Sequence, residues 1–233
     1  MTYVEHPVFS PLACCTWERR TASAHEHRVV PDACVDLIWS GERLIIAGPD
    51  TRARLVLSSP GTRTIGIRLR PGVAGAVLGL PAHELRDQVP DAADVLGHDA
   101  TESVLDALWR GEDAHAVLFR AVASRGVGAP DPLVQAAVAA LDQPEARVAD
   151  VAAELGLSAR QLQRRVGDAV GYGPKMLARV LRFRRLRGLK PAPLVDLALD
   201  AGYADQAHMT AEVTRLAGIS PVRFFKDRTP GAT

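Results

Sequence analysis

The sequence predicts an α+β chain: a small antiparallel β-domain with helices after it, then an all-α domain built from two helix-turn-helix motifs. Three observations carry this. Residues 10–70 hold six short runs rich in Val, Ile, Leu, Thr and Trp, divided by evenly spaced turn residues. Residues 148–174 and 194–221 read as one unit written twice. Charge divides the same way: residues 131–233 carry fifteen Arg and Lys against eleven Asp and Glu, and residues 1–130 carry thirteen against sixteen. A basic C-terminal part beside an acidic N-terminal part suits a nucleic-acid-binding module joined to a regulatory one.

The six runs span 12–19, 27–30, 34–40, 42–48, 54–59 and 62–70, with turns at 31–33, 40–42, 48–51 and 60–61. Ile65, Ile67 and Leu69 alternate with Gly66 and Arg68, so one face is buried and Arg68 and Arg70 read as solvent-facing. Even spacing of short strands indicates a small antiparallel barrel or sandwich. From Gly72 the texture becomes helical, with short turns at 73–79 and 82–87. Two helices follow at 100–110 and 113–124, with apolar faces marked by Val104, Leu105 and Leu108 and by Val117, Leu118 and Val122. Residues 125–132 read as a linker. The expected division is a regulatory domain over 1–97, a helical dimerisation or linker segment over 98–126, and a DNA-binding domain over 131–233.

In the first repeat Val151, Ala152 and Leu155 give a short helix its buried face. Gly156 ends it, and Ser158 is placed to cap the next helix. Leu162 and Val166 face inward at i, i+4, which turns Arg160, Gln163 and Arg164 outward. In the second repeat Leu197, Ala198 and Ala201 precede Gly202, Asp205 is the cap, and Met209 and Val213 are the inward pair. Gln206, His208 and Thr210 fall on the free face. The motifs cover 148–168 and 194–217. Between them, residues 175–189 form a helix with Leu177, Val180, Leu181 and Phe183 on one side and Arg179, Arg182, Arg184, Arg185 and Arg187 on the other. Pro191 and Pro193 stop it.

Residues 131–228 resemble the paired helix-turn-helix domain of AraC/XylS-type transcription regulators. The carrying residues are Ala152 with 155–158 (LGLS), 162–166 (LQRRV), 171–174 (GYGP), Arg182-Phe183, 198–203 (ALDAGY) and 218–225 (GISPVRFF). The resemblance implies two parallel recognition helices entering successive major grooves of double-stranded DNA. It places Ser158, Arg160, Gln163 and Arg164 of the first unit, and Gln206, His208 and Thr210 of the second, at the DNA. Arginine can fork onto guanine and glutamine onto adenine. The chain departs from the pattern at Ala211 and Glu212, and at Val166 and Val213, where relatives carry phenylalanine. The first unit is therefore expected to supply more of the specificity, and the second to fix register through the DNA backbone. Residues 31–39, 47–53 and 66–85 resemble the N-terminal domain of an actinobacterial-type AraC subgroup. This implies a cupin-like sensor barrel, helices that pair two subunits into a homodimer, an unidentified small-molecule effector, and activation through RNA polymerase.

Candidate effector contacts in the β-domain are Trp17, His25, His27 and Asp36. His25 and His27 form an H-x-H on a strand, the spacing used by cupin metal sites, yet Asp32 and His83 are poorly placed to complete a set, so no metal or cofactor is expected. Cys14, Cys15 and Cys34 read as small buried residues rather than a redox sensor. Two other readings stand beside the effector-responsive regulator. One is a cupin-type metal-dependent enzyme or metal sensor with an accessory DNA domain, which needs three converging ligands. The other is a ligand-independent regulator whose barrel only dimerises. The leading reading assigns no catalytic residue. No apolar run reaches the ~20 residues of a membrane span and no signal peptide is read, so a cytoplasmic protein is expected.

Overall fold

The computed structural model describes residues 2–125 and 129–226. Its N-terminal part is an antiparallel β structure and its C-terminal part is helical, as expected. Seven strands form: β1 (Thr2–Pro7), β2 (Ala13–Arg20), β3 (His25–Val29), β4 (Val35–Trp39), β5 (Leu44–Ala47), β6 (Arg54–Ser58) and β7 (Arg63–Leu69). They make a five-stranded sheet in the order β1-β2-β7-β4-β5 and a two-stranded ribbon of β3 and β6. Strand β1 has no counterpart among the six sequence runs. Its TYVEHP sequence lacks an apolar alternation, and its order comes from pairing with β2, Tyr3 opposite Arg19 and Glu5 opposite Trp17.

One face of the large sheet is apolar. Leu37, Ile46, Ile65, Ile67 and Leu69 are buried there under helices. These are α1 (Ala74–Leu78), α2 (Ala92–Leu96), α3 (His98–Trp109) and α4 (Ala114–Ser124), which contribute Val77, Leu108, Leu118 and Val122 to the same core. A 3-10 turn at Ala82–Leu85 follows α1. Helix α2, unread in the sequence, is capped by the Asp91 carboxylate, which accepts from Ala93 N at 3.2 Å. The expected linker at 125–132 lies partly outside the described residues.

The opposite face is polar, which corrects the solvent-facing assignment of Arg68. This side chain lies inside, bonded to both Asp36 oxygens at 3.2 Å and to Glu5 at 3.0 Å, with Asp32 at 3.5 Å. Trp17, packed flat over Gly66, donates its indole N–H to Asp36 at 3.1 Å. Strand alternation gave the correct period. It could not distinguish open solvent from a half-buried cluster of ion pairs with Glu5, Asp32 and Asp36.

The C-terminal part comprises α5 (Pro132–Leu141), α6 (Val148–Glu154), α7 (Ala159–Val170), α8 (Pro174–Gly188), α9 (Leu194–Asp200), α10 (Gln206–Ala217) and α11 (Pro221–Lys226). Helices α6 and α7 are the first helix-turn-helix, and α9 and α10 the second. Helix α8 runs between them and packs on both, with Leu177, Val180, Leu181, Phe183 and Leu186 fully buried. Leu162 and Val166 of α7, and Met209 and Val213 of α10, point into the same core, as their spacing requires. The second helix of each unit ends at a glycine in the left-handed region, Gly171 (φ 98°) and Gly218 (φ 72°). Both are equivalent points of the repeat, and a side chain at either would be strained.

Candidate nucleic-acid interface

Helix α7 begins with a reciprocal capping box. Ser158 Oγ accepts from Gln161 N at 3.2 Å, and the Gln161 side chain accepts from Ser158 N at 2.8 Å. The cap fixes the first turn, and Arg160, Gln163 and Arg164 lie exposed along the helix from there. Neither Arg160 nor Arg164 has a carboxylate in ion-pair range among the described residues. Next along the helix, Arg165 is committed instead to Asp131, the N-cap of α5, at 2.5 Å. The end of the Gln163 side chain lies over Gly173, and a side chain at that position would require Gln163 to swing aside.

The second unit is built alike and finished differently. Asp205 caps α10 by accepting from His208 N at 2.7 Å. Gln206 is exposed. His208 is half-buried, its ring edge against Tyr203 and its Nδ1 accepting from Ala204 N at 3.3 Å. The Thr210 hydroxyl donates to Gln206 O at 2.8 Å. The expected outward set of this unit therefore offers one free side chain and two engaged ones, His208 with the turn before α10 and Thr210 with its own helix.

The arginines of α8 are mostly spoken for. Arg179 pairs with buried Glu212 at 3.2 Å, Arg184 with Asp142 at 2.8 Å, and Arg185 with Asp142 at 3.4 Å and with Ala201 O at 2.9 Å. Arg182 lies over the Tyr203 ring at 5.4 Å, a cation–π contact. The basic side of α8 thus holds the second helix-turn-helix unit and the end of α5 through ion pairs and a ring contact. Sequence reasoning noted Glu212 only as a departure. Its position three residues after Met209 and one before Val213 is the signal that places it on the inner side.

In the β-domain, three of the four candidate effector contacts are engaged inside it. Trp17 and Asp36 bond each other, and burial pushes the Asp36 carboxyl up despite Arg68. His27 is buried and accepts from Arg19 Nη1 at 2.5 Å; desolvation first, and then Arg19, bring its pKa down to about 4. His25 is exposed. Arg19, which sequence reasoning passed over, lies 5.5 Å from both the Tyr3 and Trp17 rings, and its Nε and the His27 Nδ1 are buried without hydrogen-bond partners. Among the described residues no group of three or more His, Cys, Asp or Glu is placed to hold a metal ion. Cys15 is buried, and loss of solvent pushes its thiol up to about 12. No helix among them is long and apolar enough to cross a membrane.

Several points of the β-domain reach the helical one. Ala33 is buried in the same apolar cluster as Tyr172, Leu162 and Val166. His83 lies 3.3 Å from Asp168 of α7. Between α1 and α7 opens a cleft of about 650 Å³ lined by Gly75, Ala76, Leu80, Arg164, Arg165 and Asp168.

Residues 151–227 match the family model described as a helix-turn-helix domain, and residues 2–91 match a domain of unknown function, DUF6597. None of the curated proteins matches the chain. Among solved structures, apo ToxT from Vibrio cholerae aligns over 98% of this chain and 97% of its own, at 10% identity and a TM-score of 0.46. Unsaturated fatty acid-bound wild-type ToxT from the same species aligns over 100% and 96%, at 10% identity and a TM-score of 0.44.

Proposed function

We propose, for a chain whose C-terminal part is an AraC-type helix-turn-helix domain and which is thereby a DNA-binding transcription regulator, that α7 and α10 enter successive major grooves on one face of double-stranded DNA. The observation that carries this is the free, capped face of α7. Arg160 and Arg164 stand exposed with no ion-pair partner among the described residues, in a domain whose other arginines are largely paired. Long unpaired guanidinium groups on a rigid helix suit bidentate reading of guanine edges. In this reading Ser158, Arg160, Gln163 and Arg164 carry sequence recognition, and Gln206, His208 and Thr210 carry the second groove.

The regulatory half answers a small-molecule effector bound among Arg19, Trp17, His27 and Asp36. Two buried donors without partners support that placement, because interiors rarely leave such groups unmet. A route to DNA runs through Asp32, which faces Arg68, to the adjoining Ala33, which packs with Tyr172 behind α7. Helices α3 and α4 pair two subunits, a role supported by the exposed Trp109 at the end of α3. The protein acts in the cytoplasm as an activator that contacts RNA polymerase, as the resembling proteins do.

Selection of duplexes from a random pool by the full-length protein tests the core of this. It should return two conserved half-sites about one helical turn apart, with affinity falling steeply as salt rises. Return of one half-site only, or of no preferred sequence, sinks the reading.

A further inference from the structure

We infer that the loop over residues 48–53 is a clasp that grips the far ends of both recognition helices and so sets the spacing at which they meet DNA. This rests on the DNA-reading role proposed above. The loop touches the same point of each repeat. Pro49 fills the space beside Gly171, the left-handed cap of α7, where a Cβ would collide with the proline ring and come within 3.1 Å of Ala82 O. At the loop's other end, Ala53 N donates to Leu216 O, in the last turn of α10, at 2.7 Å. Arg28 of β3 adds a second bond, Nη1 to Ala217 O at 2.9 Å, one residue before Gly218. Carbonyls in the last turn of a helix lack intrahelical partners, and a cation there also meets the negative end of the helix dipole. Gly171 and Gly218 are equivalent in the two copies, 47 residues apart. One short loop thus joins two ends that the repeat itself leaves separate.

The clasp is braced from behind. Asp87, at φ 58°, accepts from Thr51 N at 2.7 Å and from Thr51 Oγ1 at 2.8 Å. Gly48 N donates to Gln88 O at 3.0 Å, and Asp87 N returns a bond to Pro49 O at 3.2 Å. Buried Asp50 pairs with Arg54 at 3.4 Å. Five of these bonds and pairs fix a loop of six residues, so it has little freedom to follow one helix without the other.

The geometry makes this a matter of specificity. Arg160 and Gly171 lie near opposite ends of α7, roughly 16 Å apart at 1.5 Å per residue. A tilt of about 10° at the clasped end moves the reading end by about 3 Å, close to the spacing of one base pair. Thr51, Asp87 and Arg28 are accordingly positioning residues that never touch DNA.

The test uses the full-length protein and duplexes carrying both half-sites at the selected spacing, with one, two or three base pairs inserted, or with one half-site alone. The wild type should lose roughly tenfold or more on insertion, because joined readers bind together only where the geometry allows it. Asp87→Gly accepts the backbone angle but removes the brace, and Arg28→Ala removes one grip. Both should bind the selected spacing more weakly, lose no more than about threefold on insertion, and match the wild type on the single half-site. Thr51→Val, a milder change of similar shape, should fall between. If the variants keep the wild-type insertion penalty, the clasp is refuted. If they weaken equally on every duplex, the loop is only a structural support and the inference also fails. A wild type that binds no duplex refutes the DNA reading itself, which the variants then need not address.

Discussion

The two helix-turn-helix copies share a skeleton and differ in what they leave free. Both have an oxygen-bearing cap, two inward residues at i, i+4 and a left-handed glycine at the end of the second helix. In the first copy the outward arginines, Arg160 and Arg164, have no ion-pair partner among the described residues. In the second, His208 leans on Tyr203, Thr210 bonds its own helix, and Glu212 is drawn inward to Arg179. A repeat conserves what packing needs and releases what recognition needs. Unequal release is the physical ground for assigning unequal roles: base reading to the first copy, register to the second.

The largest effect that could break this comparison belongs to Arg164→Ala. Affinity for the selected duplex should fall by about 1–3 kcal/mol, with a much smaller fall on random DNA. Equal losses on both would make Arg164 a phosphate contact and erase the asymmetry. Next comes Ser158→Ala, which removes one arm of the capping box and should lower stability by about 1 kcal/mol in denaturant unfolding. Unchanged stability would mean the first turn of α7 is held by something other than its cap. His208→Ala should cost less than Arg164→Ala, within about 1 kcal/mol on the selected duplex, because a half-buried ring bonded to its own backbone has less to offer a base. A loss as large as that of Arg164→Ala would restore equal roles.

The smallest effect at neutral pH lies outside both units and sets their baseline. His27 is neutral in the fold, with a pKa near 4 against an ordinary 6.5. The unfolded chain therefore binds more protons between those values. Stability from this group is present above about pH 6.5 and is lost as the pH drops toward 4. Melting curves of His27→Gln should match the wild type in slope at neutral pH and fall less steeply through that acid window. An identical acid slope would show that His27 is not the group responsible.

Much of the fold was legible because its signals are local. Ser158 and Asp205 announced helix starts, Gly156 and Gly202 announced helix ends, and Leu162/Val166 and Met209/Val213 marked the inner faces at helical spacing. Strands β2 to β7 followed from β-branched runs and their turns. Edge strand β1 did not, since its order comes from β2 rather than from its own residues. Arg68 was misplaced for a related reason: alternation separates two faces of a sheet without telling which one meets water.

What the sequence determined by itself was periodicity, caps and the presence of a duplicated unit, all set by interactions within about one helical turn or one hairpin. Only the tertiary structure decided which arginines are free. Arg184 meets Asp142 from 42 residues away and Arg28 meets Ala217 from 189. A charged side chain looks the same in a sequence whether its counter-charge is protein or DNA. The difference is made by what the folded chain brings within ion-pair reach of it, and no local pattern encodes that.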